Sequence, residues 1–91
     1  MKKIESVTVL TVGTSAQTVD VRGLAFLIEN NSESATVYFK ERRADGAAAS
    51  ASNGFVLGPG SVLPVPLTAM ELSLAASAAD TDVRLLILNE F

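Results

Sequence analysis

Pro64 and Pro66 stand two residues apart in the apolar run Ser61-Val-Leu-Pro-Val-Pro-Leu67. Alternate residues of a strand direct their backbone N–H groups to the same lateral side, so both prolines delete donors from one edge. Such a strand lies at the margin of a sheet or leaves the sheet there, and the missing donors discourage edge-to-edge aggregation. The alternative is an extended loop over 62–67. Upstream lies a second apolar run, Gly54-Phe-Val-Leu57, and between the two runs comes Gly58-Pro59-Gly60. Proline presets φ and the glycines admit positive φ, which a tight reversal needs. The stretch 54–67 therefore reads as two strands joined through a turn.

The remainder of the chain repeats this grammar of short alternating runs and turn residues. Residues 4–12 are rich in β-branched side chains, Gln17–Val21 is a short run, and Arg22-Gly23 forms a turn. Residues 24–29 place Leu24, Phe26 and Ile28 on one face and Ala25 and Leu27 on the other, as in a central strand. Asn30-Asn31-Ser32-Glu33-Ser34 is a polar turn suited to side-chain-to-backbone hydrogen bonding. Residues 35–40 put Val37 and Phe39 inward and Thr36, Tyr38 and Lys40 outward, and the spacing predicts a hairpin of 24–29 with 35–40. Residues 41–54, rich in alanine, serine and glycine, read as a flexible loop. Residues 70–75 alternate, with Met70, Leu72 and Leu74 inward. Residues 83–88 carry Val83, Leu85 and Ile87 on one face and Leu86 and Leu88 on the other. Two apolar faces mark a central strand, or an outer face that meets a partner. About eight short strands at near-regular spacing predict an all-β fold, an antiparallel β-sandwich or jelly roll. We expect one domain over residues 1–91, with 1–12 an N-terminal arm or strand.

Composition narrows the chemistry. The chain has 91 residues, no cysteine, no histidine and no tryptophan. Disulfides, thiolate chemistry and every Ser-His or Cys-His arrangement are thereby excluded. A net charge of −3 argues against a general nucleic-acid binder, which needs a basic surface. No run reaches the roughly 20 apolar residues of a membrane helix. Met1-Lys2-Lys3 resembles the start of a signal peptide, but the alternating Ile4-Glu5-Ser6-Val7-Thr8 that follows is no apolar segment. Charged residues make up only 19% against 48% hydrophobic, so part of the apolar surface is expected to be hidden in an oligomer.

Few residues suggest a site. Asp80-Thr81-Asp82, with Asp20 or Glu33, offers oxygen ligands for calcium, but two acids in a turn more often only solvate it. We assign no metal, no cofactor and no catalytic residue. Lys40-Glu41-Arg42-Arg43 is a basic cluster that either docks an acidic partner surface or keeps a strand end soluble. Tyr38 is the one aromatic expected to face outward from a strand. The interaction candidates are thus Lys40, Arg42, Arg43 and Tyr38.

Four segments, in order, carry a resemblance: Ile28-Glu-Asn-Asn-Ser32, Thr36-Val-Tyr-Phe-Lys40, Gly54-Phe-Val-Leu-Gly-Pro-Gly60 and Asp82-Val-Arg-Leu-Leu-Ile-Leu88. Together they resemble the folding signals of small β-sandwich structural proteins of tailed-bacteriophage virions, such as capsid-decoration and fibre- or tail-associated proteins. The resemblance spans residues 24–88 and carries no active-site residue. It implies a structural protein working by protein–protein contacts with capsid or tail proteins and with itself, a trimer favoured. It would be made in the bacterial host cytoplasm and reside in the virion. The alternative is a carbohydrate- or receptor-binding sandwich.

Overall fold

A computed structural model describes residues 2–21, 25–41, 46–65 and 71–90. The described residues are all-β. They form β1 (Lys2–Val12), β2 (Gln17–Asp20), β3 (Ala25–Asn30), β4 (Val37–Glu41), β5 (Phe55–Leu57), β6 (Val62–Val65), β7 (Glu71–Ala76) and β8 (Thr81–Glu90). Two four-stranded antiparallel sheets result: sheet A in the order β1-β8-β3-β6 and sheet B in the order β2-β7-β4-β5. The pairings are nested. β4 pairs with β5, β3 with β6, β2 with β7 and β1 with β8. The chain is one long hairpin rolled into two layers, a jelly roll.

Rolling changes the partner expected for one segment. The hairpin of 24–29 with 35–40 does not form, because β3 lies in sheet A and β4 in sheet B. The polar turn between them is a crossing between layers. The turn after β5 is a crossing as well, so β5 and β6 are joined but do not pair with each other. Leu24, Pro66, Met70 and the Arg22-Gly23 turn lie outside the described residues.

Alternation decides the core. Val83, Leu85 and Ile87 of β8 are buried, as are Phe26 and Ile28 of β3, Val37 and Phe39 of β4, and Leu72 and Leu74 of β7. These side chains meet between the sheets in one cluster with Val12, Val21, Leu57 and Val65. Each contributes about 1.5–3 kcal/mol by leaving water. β8 is central, flanked by β1 and β3; Val83, Leu85 and Ile87 face the core and Leu86 and Leu88 the half-buried outer face of sheet A.

The corner after β5 fixes β6. Ser61 N–H donates to the Gly58 carbonyl at 3.2 Å and Gly60 has φ 73°. Proline at the second position and a left-handed glycine at the third make this a type II turn. Gly60 N–H donates to the Asn30 carbonyl and Asn30 N–H to the Ser61 carbonyl, both at 2.9 Å. Two residues thus oppose one, a bulge built on a left-handed glycine. The Ser61 carbonyl faces β3, so by alternation Leu63 and Val65 also turn their backbone groups to β3 and Pro64 turns outward. Pro64 therefore occupies a sheet edge where its missing donor costs no ladder bond.

Asn30 is fully buried and completely satisfied. Its Nδ2 donates to the carbonyls of Ala35 (2.8 Å) and Leu57 (3.0 Å). Its Oδ1 accepts from Ser32 N–H (3.2 Å) and Ser32 Oγ (2.6 Å). One side chain at the end of sheet A thereby ties the approach to β4 and the end of β5. Asn30→Asp would set a buried carboxylate against two carbonyls. We expect it to cost about 3 kcal/mol or more, against about 1 kcal/mol for Ser32→Ala, in urea unfolding. Gly60→Ala should cost about 1 kcal/mol through its positive φ. Gly13→Ala, where a Cβ meets nothing within 4 Å, should leave the midpoint nearly unchanged.

Candidate interaction surface

The outer faces of the two sheets differ. On sheet B, Tyr38 lies opposite Ala75 and Val56, and Lys40 opposite Ser73. Ser73 and Ala75 point away from the core, yet both are buried. The cover is the chain's own segment 46–54. Ala49 is buried and its N–H donates to Ser73 Oγ at 2.9 Å. Asn53 knits the segment together, accepting from Ser50 N–H at 2.8 Å and donating to the Ala48 carbonyl at 3.0 Å. A Cβ added to Gly54 would sit 3.2 Å from Tyr38 Cβ, Phe39 N and the Ser50 carbonyl, so any larger residue would push the segment back by a few tenths of an ångström. Tyr38 and Lys40 are consequently half-buried. Tyr38 and Lys40 share the outer face of β4, and Arg42 and Arg43 lie outside the described residues.

Sheet A carries no such cover among the described residues. Cross-strand register places Val7, Leu86, Leu27 and Pro64 in one row across all four strands. The next row reads Val9, Arg84, Glu29 and Val62. Val7, Val9, Val62 and Pro64 are exposed, and Leu27, Leu86 and Leu88 half-buried. Single exposed apolar residues are ordinary, whereas a contiguous sheet face of them marks a contact surface. Leu86 and Leu88 are legible in the sequence as a second apolar face of β8. Val7, Val9 and Pro64 join them only through the register of β1 and β6.

A second apolar feature lies on the consecutive edge strands β5 and β6. Phe55 is 60% exposed and Val56 66%, and Val62 and Leu63 are also exposed. Phe55 stacks on buried Phe39 with centroids 5.5 Å apart, so its ring caps the core margin. The sequence run Phe55-Val56-Leu57 gives no sign that two of its three side chains stay in water.

The charged groups of sheet A form a small network at one end. Arg84 Nη2 meets Asp82 Oδ2 at 3.1 Å, and Asn31 Nδ2 donates to the same oxygen at 2.9 Å. The Arg84 hydrogen bond, then that from Asn31, holds the Asp82 carboxyl below the usual carboxylate range. Asp82 is thereby engaged with Arg84 and Asn31, while Asp80 sits in the β7–β8 turn with φ 55°. Among the described residues no three Asp, Glu, His or Cys side chains gather as a metal site.

Comparison of the chain with protein-family models, curated proteins and solved structures returned no match. The surface must be interpreted from its own chemistry.

Because folding lowers the Asp82 pKa, the ionised group stabilises the fold above its unfolded pKa. That contribution is lost as pH falls through the depressed folded value. Asp82→Asn should therefore flatten the acid limb of a plot of stability against pH, with the two proteins converging at the lowest pH. The difference should shrink in high salt, since the pair is partly exposed.

Proposed function

We propose that this chain is a non-enzymatic structural protein of a phage or prophage particle. It acts as a capsid-decoration or tail-associated subunit through protein–protein contacts. The observation that carries this reading is the outer face of sheet A. Four strands line up Val7, Leu86, Leu27 and Pro64 in one row, exposed at its margins and half-buried at its centre, with no covering segment among the described residues, while on sheet B the segment 46–54 buries Ser73 and Ala75. Apolar area held on a rigid sheet suits attachment to another protein surface, because little ordering is lost on contact. The molecule is a slab, 37 × 33 × 16 Å, so its broad faces match a standard contact of roughly 800 Å² per partner. A jelly roll and the ordered folding signals over residues 24–88 agree with the same reading. Its partners are capsid or tail proteins, and its place is the virion.

Particles induced from the source strain and purified by density gradient test the role. The chain should be recovered in the particle fraction by mass spectrometry. Leu86→Lys, which puts a charge at the middle of the apolar row, should deplete it from particles at least tenfold, the worth of about 1.4 kcal/mol of contact energy. The thermal midpoint should move by only a few degrees. Absence of the unmodified chain from particles would reject the role.

A further inference from the structure

We propose that β1 is the joint between two copies of this chain, paired antiparallel across a two-fold axis. The inference rests on the assembly role above and adds the surface used for self-association.

The four sheet edges are unequal. β2 has four residues and β5 three, too short for a durable ladder. β6 turns Pro64 outward, where no N–H is offered. β1 has eleven residues and, among the described residues, pairs with β8 and no other strand. A long open edge of this kind is a template for another strand.

The direction of its backbone groups follows from alternation. Asn31 N–H donates to the Asp82 carbonyl at 2.9 Å, so the even-numbered residues of β8 turn toward β3. The odd-numbered residues of β8 turn toward β1 and meet Ser6, Thr8, Leu10 and Val12. Val7, Val9 and Thr11 therefore present their N–H and C=O groups along the free edge. Ser6, Val7, Thr8 and Val9 are all exposed, so no side chain of the described fold blocks approach.

The occupant that fits is a second β1. Antiparallel pairing centred on Thr8 sets Val7 against Val9 of the other copy twice over, and Thr8 against Thr8. Both valine pairs extend the apolar outer row of sheet A across the joint, and Thr–Thr pairs are favourable neighbours. Centring on Val7 would instead oppose Glu5 to Val9, and centring on Val9 would oppose Val7 to Thr11. A head-to-tail ring through sheet A would need the β6 edge and meets Pro64 there. The edge chemistry thus favours a closed dimer over the trimer that the family resemblance suggests.

Two variants test the joint. Val9→Pro removes one outward N–H while leaving the bonds from β1 to β8 in place, so it copies on β1 what Pro64 does on β6. Light scattering after gel filtration should show two chains for the unmodified protein and one for Val9→Pro, with the circular dichroism spectrum of both that of a folded β protein. Thr8→Cys places the only thiol of the chain on the axis. In a non-hydrogen-bonded pair the two Cα atoms stand about 4.5 Å apart, within disulfide reach. On mild oxidation it should cross-link at least tenfold faster than Ser52→Cys, an exposed control on segment 46–54. Equal cross-linking rates for the two cysteine variants would overturn the joint, as would a Val9→Pro protein of undiminished mass. Either result in a chain still recovered from particles overturns the joint alone. A chain absent from particles rejects the assembly role by the separate test given for it.

Discussion

The two crossings between the layers around strands β3 to β6 depend on Asn30. Apolar packing between two sheets is strong but has no direction, and side chains of similar size permit sliding. A buried amide is satisfied in one arrangement only. Asn30 meets the carbonyls of Ala35 and Leu57 with its two N–H groups and Ser32 with its oxygen, while its own backbone holds the bulge at Gly60 and Ser61. Those partners lie where the chain leaves sheet A for sheet B and where it returns. In the low dielectric of the interior such a network strengthens every bond in it and penalises any alternative register.

With that corner fixed, the chain meets the same problem twice and solves it differently. A two-layer sandwich has two outer faces, and neither is wholly polar here. Sheet B closes its face with segment 46–54, whose small residues lie flat enough for Ala49 to reach Ser73 and for Gly54 to pass over Tyr38. Sheet A has no such cover among the described residues, and its apolar row runs from half-buried Leu27 and Leu86 to exposed Val7 and Pro64. Lys40 and the aromatic Tyr38 are drawn into the covered side, so these two contact candidates are offered less freely than Val7, Val9 or Val62.

Much of the architecture is legible residue by residue. Period-two alternation identifies the inward residues of β4 and β8, and Pro64 marks an edge, because each signal is local and rests on backbone chemistry. Pairing across the sandwich is another matter. The link from β3 to β4 has the polar turn residues of a hairpin, and only the nested register reveals it as a crossing. Asn30 reads as a turn residue, and nothing local shows that its amide reaches Leu57, far along the chain. The interaction surface shares this difficulty, since Val7, Leu86, Leu27 and Pro64 become one row only after four strands align.

Nested pairing also sets an order in time. Of the eight described strands, β1 leaves the ribosome before the others and waits for β8, which leaves after them. Every inner ladder closes a shorter loop and can form sooner, since loop closure grows costlier with length. Throughout synthesis β1 therefore carries two open edges instead of one, and a neighbouring nascent chain meets it before its own partner does. Assembly and misassembly compete for the same strand during that interval, and the rate at which β8 arrives decides between them.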